Sequence, residues 1–137
     1  MRSTRLFIIK LVFLATFFSG PAYAAPDKLF IDIVNYSASI DGYSSLCVKN
    51  YDDDKELNDL FDLLNELKEK YLLFTNDDYE VLKSTYMRTK SGTITQLLKL
   101  KLNVQKNRCS DYLKIFERFD RKKQKRLEDL ERMIDAY

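Results

Sequence analysis

Apolar side chains recur every three to four residues along most of this chain, and few helix-breaking residues interrupt them. The clearest run follows three aspartates, Asp52–Asp54, and consists of Leu57, Leu60, Phe61, Leu64, Leu67 and Tyr71. This spacing places the apolar side chains on one face of an α-helix. The chain of 137 residues holds only three Gly and two Pro, which leaves little room for the many turns of a β-fold. The sequence therefore predicts an all-α protein.

A helix is also predicted to begin near Pro26, because proline is compatible with the first helical turn. Its apolar residues continue at helical spacing to Ile40, although a short strand over residues 29–34 is the alternative interpretation. The dipeptide Asp41-Gly42 is typical of a turn. We therefore expect the segment to end there.

A further helix start is predicted at Thr75, which stands three residues before Asp78 in the pattern of a capping box. The apolar period continues from there, and Ser91-Gly92 is predicted to break it. The last long helical pattern runs from Ser110 to the C-terminus.

Residues 93–104 fit two patterns. Leucines and Val104 alternate with polar residues, as in a strand, but the Leu, Lys and Gln content favours a helix. We predict a helix here and leave the strand as the alternative. Short connections between helices favour antiparallel packing, so the expected fold is a small antiparallel bundle of four to five helices.

The first 24 residues have the organisation of a secretory signal. Two arginines open the segment, residues 11–18 are apolar, and residues 22–24 supply the small side chains that signal peptidase recognises. The apolar stretch is too short for a membrane-spanning helix, which needs about 20 residues. We predict cleavage after Ala24, a single mature domain over residues 25–137, and a periplasmic or secreted location.

Two cysteines lie in the mature part, Cys47 and Cys109. An even number in an exported chain favours a disulfide, and a closed loop of about 63 residues stabilises a fold by about 4 kcal/mol in the chain-entropy model. Two buried thiols are the alternative. The chain has no His and no C-x-x-C pair, so we predict neither a metal site nor a cofactor.

Charge is unevenly distributed along the chain. Residues 25–82 contain 14 acidic and 5 basic residues, whereas residues 83–137 contain 15 basic and 7 acidic residues. The halves either pair with each other inside the fold, where each exposed pair contributes little, or form a bipolar surface that steers a charged partner. The second interpretation gives ten candidate partner-binding residues: Lys99, Lys101, Lys106, Arg108, Arg118, Arg121, Lys122, Lys123, Lys125 and Arg126.

No catalytic set is evident in the sequence. Histidine, the most common general base, is absent, and a bridged cysteine is not a nucleophile. Paired carboxylates remain the one route to an enzyme. We therefore predict a non-enzymatic module that binds a protein of the cell envelope, such as an inhibitor, an immunity protein or a small chaperone. The alternative is a peripheral binder of anionic membrane or envelope polymer. Export argues against nucleic acid as a partner.

Overall fold

The computed structural model describes residues 24–71 and 73–136. It contains five helices: α1 (Ala24–Cys47), α2 (Lys55–Tyr71), α3 (Asn76–Leu98), α4 (Leu102–Ser110) and α5 (Tyr112–Asp135). No strand occurs in this part of the chain, and none of the five helices is apolar over a length that would cross a bilayer. The predicted helical bundle is confirmed. The predicted signal peptide, residues 1–24, lies outside the described residues except for Ala24, and it stays a prediction.

Helix α1 is the central element of the bundle. It packs most extensively against α3 and α5, and α2 lies against it as well. Its buried apolar side chains occupy more than one face of the helix: Phe30, Ile33, Val34, Ala38 and Ile40. A helix that is apolar on several faces is typical of a bundle interior. In contrast, α5 is polar on most of its surface and contributes Ile115 and Leu130 to the buried residues.

The predicted capping box at the start of α3 is confirmed. The Thr75 hydroxyl accepts a hydrogen bond from the backbone N–H of Asp78 at 3.1 Å, and the Asp78 carboxylate accepts one from the Thr75 N–H at 3.2 Å. In addition, the Lys68 ammonium donates to the Asn76 side chain at 2.7 Å. This contact ties the end of α2 to the first turn of α3.

Both strand alternatives are wrong, because residues 29–34 lie within α1 and residues 93–104 divide between α3 and α4. A short break separates these two helices, although it contains neither Gly nor Pro. The side-chain amide of Gln105 donates to the carbonyl oxygens of Leu98, at 3.4 Å, and Leu100, at 2.8 Å. It thus satisfies the Leu98 carbonyl, which the end of α3 leaves without a partner, and the Leu100 carbonyl in the break that follows.

Two predicted helix ends are also wrong, because packing between helices outweighs local turn chemistry. Helix α1 continues past Gly42, and α3 continues past Gly92. A Cβ added at Gly42 would lie 2.9 Å from the Cβ and Cγ2 atoms of Thr93 and 3.2 Å from the carbonyl oxygen of Lys90. Gly42 is therefore the point where α1 and α3 approach each other closely, and it is not a turn residue.

Alanine substitutions at Gly42 and Gly92 distinguish a glycine at a close contact between two helices from a glycine that is exposed within one helix. Nothing lies within 4 Å of a Cβ at Gly92, so we expect Gly92→Ala to raise the free energy of unfolding by about 1 kcal/mol through helix propensity. Gly42→Ala has the same propensity gain but pushes α1 and α3 apart, and we expect a net loss of about 1–3 kcal/mol. Urea denaturation measures both values. Equal stabilities of the two variants would contradict the close approach at Gly42.

A buried carboxylate joins α1 to α3 beside this point. The Asp41 side chain has no exposed surface. The Tyr86 hydroxyl donates a hydrogen bond to its Oδ2 at 2.5 Å, and the Lys90 ammonium lies 3.2 Å from the same oxygen. Removing one member of a buried pair leaves an uncompensated charge and costs about 3–5 kcal/mol. The contact therefore favours one register of α3 on α1.

Further hydrogen bonds near this carboxylate join α1 to α5 and to the connection before α2. Ser44, one turn further along α1, is hydrogen-bonded to the Tyr112 hydroxyl of α5 at 2.6 Å. The Lys90 ammonium also donates to the carbonyl oxygen of Asp53 at 3.3 Å, and the Ser45 hydroxyl donates to the Asp53 carboxylate at 2.7 Å. These contacts fasten the connection between α1 and α2 against the C-terminal end of α1.

The Tyr86 phenol gives the fold a dependence on alkaline pH. Burial raises the pKa of Tyr86, and its hydrogen bond to Asp41 raises this pKa further. In the unfolded chain the pKa of tyrosine is about 10. Because the pKa is higher in the folded state, the contribution of Tyr86 is fully present below pH 10 and is lost as the pH rises from there towards the folded-state pKa.

We expect the free energy of unfolding to fall above pH 10, with about 1.4 kcal/mol per pH unit due to Tyr86. The Tyr86→Phe protein should show a shallower fall, from a lower value at neutral pH. Urea unfolding between pH 8 and pH 11.5 measures both slopes. Tyr79→Phe is the control, because its hydroxyl has no hydrogen-bond partner among the described residues. Identical slopes for Tyr86→Phe and the parent would contradict this account.

Candidate functional site

A disulfide joins the end of α1 to α4. The bond between Cys47 and Cys109 confirms the predicted pairing; the Cα atoms lie 5.0 Å apart across a sequence separation of 62. The described residues include no unbridged cysteine. An oxidised pair is consistent with a periplasmic or extracellular location.

Helix α4 depends on this bond for its position. It has nine residues, none of them buried, and its contacts with α1 and α5 are sparse. Apart from the bridge and the Gln105 amide, one link to the bundle is a hydrogen bond from the Arg108 guanidinium to the Tyr43 hydroxyl at 3.4 Å. A short helix without a buried face is marginal by itself in water. The disulfide is therefore the main attachment of α4.

The double variant Cys47→Ser/Cys109→Ser tests this dependence. We expect the free energy of unfolding to fall by up to about 4 kcal/mol, the value for a loop of this length. Native-state hydrogen exchange should show that amides of residues 102–110 lose their protection, whereas amides of residues 82–90 stay protected. Equal protection of the two segments in the double variant would contradict the role given to the bond.

Helices α1, α3, α4 and α5 together line a groove of about 270 Å³. Tyr43 lies on α1, Leu97 on α3, Arg108 on α4 and Phe119 on α5, and all four line the groove. None of the lining residues is acidic. The groove therefore combines aromatic and aliphatic walls with a guanidinium group.

Further positive charges lie against aromatic rings on the α1–α5 side. The rings of Tyr36 and Tyr43 lie 6.5 Å and 6.2 Å from the ring of Phe119. The Arg118 guanidinium lies 5.6 Å from the centre of the Phe119 ring, and the Lys122 ammonium lies 6.0 Å from that of Tyr36. Cation–π contacts orient a cation without neutralising its charge. Both charges can therefore still bind an anion.

The structure divides the ten candidate basic residues into two groups. Lys123 lies 3.0 Å from Glu56, and Arg126 lies 3.1 Å from Asp32, so internal pairing accounts for these two. The other eight are exposed and form no ion pair within the described part of the chain: Lys99, Lys101, Lys106, Arg108, Arg118, Arg121, Lys122 and Lys125.

These eight residues all lie in the C-terminal half of the chain. Two lie in the break between α3 and α4, two on α4, and four on α5. Those on α5, Arg118, Arg121, Lys122 and Lys125, fall within one face of that helix because 118 and 122, and 121 and 125, are four residues apart. Seven exposed acids lie on α2 and the connection before it, and four more lie on α5 itself: Glu117, Glu128, Glu131 and Asp135. Internal pairing thus accounts for some of the charges, and the steering of a charged partner by the others stays a prediction.

The buried cluster around Asp41 does not form an open catalytic site. Asp41 has no exposed side-chain surface, Lys90 is only 16 % exposed, and the two lie in contact. Burial and the nearby Asp41 carboxylate also raise the pKa of Tyr51. The described residues contain no group of three or more His, Cys, Asp or Glu placed to hold a metal ion. The cluster acts within the fold, where it fixes α1 against α3.

The candidate residues proposed from the sequence are all basic and do not include the aromatic residues in and beside the groove. Tyr36 and Tyr43 stand seven residues apart on α1, so they lie two turns apart on one face. This spacing was visible in the sequence. The significance of this spacing depends on Phe119, which lies 76 positions beyond Tyr43 in the chain. In the fold, the Phe119 ring lies against both tyrosine rings.

A search with this chain found no matching family model, no matching curated protein and no matching solved structure. Functional inference therefore starts from the geometry of the groove and its charges.

Proposed function

We propose that this protein is an exported, non-enzymatic binding module of the cell envelope that docks an acidic segment of a partner protein in the groove. The observation that carries the proposal is the group of eight exposed basic side chains without a carboxylate partner among the described residues. One of them, Arg108, lines a groove whose lining contains no acid, and a second, Arg118, lies against the Phe119 ring of that groove. We propose the periplasm or the exterior as its location, in keeping with the disulfide.

The residue types in the groove support protein recognition. Arginine, tyrosine and phenylalanine are enriched in protein interfaces, and arginine and tyrosine are frequent among the residues that contribute most to affinity. Arg108 and Arg118 are exposed, and a guanidinium can bind a carboxylate through two parallel hydrogen bonds. Tyr43 and Phe119 supply rigid apolar surface beside these charges.

The exposed charges also support rapid association. A patch of one sign attracts an oppositely charged partner before contact and raises the association rate, most strongly at low ionic strength. An inhibitor, an immunity protein and a small chaperone would all use such a patch. They differ in the number of partners, because the first two bind one protein and a chaperone binds many.

Adsorption to an anionic membrane is less well supported. A helix that lies on a lipid surface needs an exposed apolar face beside its basic residues. On α5 the apolar residues Ile115 and Leu130 are buried, and Leu113 is the one large apolar residue among the exposed ones, so this helix has no continuous exposed apolar face. Protein docking is therefore the leading proposal, and weak membrane contact is an alternative that the same experiment tests.

A labelled peptide of sixteen glutamates is a suitable probe for the groove. We expect it to bind the oxidised protein in fluorescence anisotropy at 50 mM salt, and to bind more weakly as salt increases. The variant Arg108→Gln/Arg118→Gln/Lys122→Gln should bind at least about tenfold more weakly. The loss of three contacts at about 0.5 kcal/mol each corresponds to this factor.

A matched control removes the same charge elsewhere. Lys49, Lys70 and Lys83 are exposed, lie outside residues 99–125 and do not line the groove, so the corresponding triple Gln variant should lose less than about threefold in affinity. An equal loss in both variants would contradict a localised site. Tighter binding to vesicles of phosphatidylglycerol and phosphatidylethanolamine than to the peptide would favour the membrane alternative.

A further inference from the structure

A second cleft adjoins the basic groove beside the disulfide. It has a volume of about 280 Å³, and its lining includes Leu46, Leu97, Leu102, Lys106 and the Cys47–Cys109 bridge. Leu97 lines the basic groove as well, so the two depressions share a wall. Aliphatic side chains and the disulfide form most of this cleft, and an ammonium group lies at its edge.

The apolar walls of this cleft are open to solvent. Leu102 is 66 % exposed and Leu46 is 39 % exposed. A single exposed leucine is common on protein surfaces, but here two of them line the same concave site. Concave apolar sites with a few polar groups at the edge are typical of binding sites.

Folding does not account for the placement of Leu102. It is the first residue of α4, a helix that buries none of its residues, and yet α4 is held covalently to the bundle through Cys109. The bond thus fixes an exposed leucine and the basic residues of α4 in one position on the surface. A rigid apolar pocket beside fixed charges is the arrangement found at the centre of many protein interfaces.

We propose that the acidic segment of the partner also carries one large apolar side chain, and that this side chain inserts into the cleft beside the disulfide. This inference rests on the proposed function and adds a specificity contact to it. The charge around the cleft determines the class of partner. Three exposed lysines stand close to the cleft-lining residues in the chain: Lys99, Lys101 and Lys106. Residues 83–108 contain no acid. A partner segment that inserts an apolar side chain into the cleft must therefore carry acidic residues on either side of that side chain.

Peptide selection tests this inference even though the partner is unidentified. A phage-displayed library of random sixteen-residue peptides is selected on the oxidised protein. We expect the enriched peptides to combine several Asp or Glu residues with a Leu, Ile, Met or Phe. Leu102→Ser should weaken the binding of such a peptide at least about tenfold, the effect of removing a hot-spot contact. Replacing the apolar residue of the peptide with Ser should have a similar effect.

Leu113→Ser is the matched control. Leu113 is 72 % exposed and lines neither the cleft nor the groove, so its replacement should change the affinity less than about twofold. Because both leucines are exposed, both variants should fold like the parent, and circular dichroism checks this expectation.

The outcomes separate this inference from the proposed function. If Leu102→Ser binds like the parent while Arg108→Gln weakens binding, the apolar contact is wrong and acidic docking survives. If the enriched peptides show no excess of acids, or Arg108→Gln has no effect, both proposals fail. If no peptide is enriched and Leu102→Ser instead weakens binding to phosphatidylglycerol vesicles, the occupant is a lipid, which overturns the inference of a protein segment.

Discussion

The Asp41 carboxylate lies where water does not reach it, and a charge in such a place requires partners in fixed positions. Tyr86 and Lys90 supply them from successive turns of α3. Since these two contacts favour one register of α3 on α1, they also determine which residues meet further along the two helices. Tyr43 follows Asp41 on α1 and Leu97 follows Lys90 on α3, and both line the basic groove. The interior contact and the surface site are thus parts of one arrangement.

The disulfide attaches α4 to the arrangement of α1, α3 and α5. Packing holds α1, α3 and α5 together through a shared apolar core, but α4 contributes nothing to that core. The bond at Cys109 places Arg108 beside Tyr43 and Leu102 beside Leu46. A reduced protein would keep most of its bundle and lose the geometry of its candidate site. An oxidised Cys47–Cys109 bond is therefore a condition of the proposed binding as well as of stability.

Local patterns predicted the elements that depend on local physics. The apolar period from Leu57 to Tyr71 identified α2, Thr75 identified the start of α3, and the count of cysteines identified the bridge. The failures occurred where residues distant in the chain decide the outcome. Gly42 looks like a turn until Thr93 packs against it, because turn propensity contributes less than the burial of two helices. No sequence signal distinguished Arg126, which pairs with Asp32, from Arg121.

The central claim is that the exposed basic residues bind an acidic partner at one localised groove and do not attract it only through charge spread over the whole surface. Chemical-shift mapping of isotope-labelled protein, titrated with the peptide of sixteen glutamates, tests it most directly. We expect the largest shifts at the amides of Tyr43, Arg108 and Phe119, with little change at Lys49 and Lys83. Shifts spread evenly over all exposed basic residues, or confined to residues outside the groove, would contradict it.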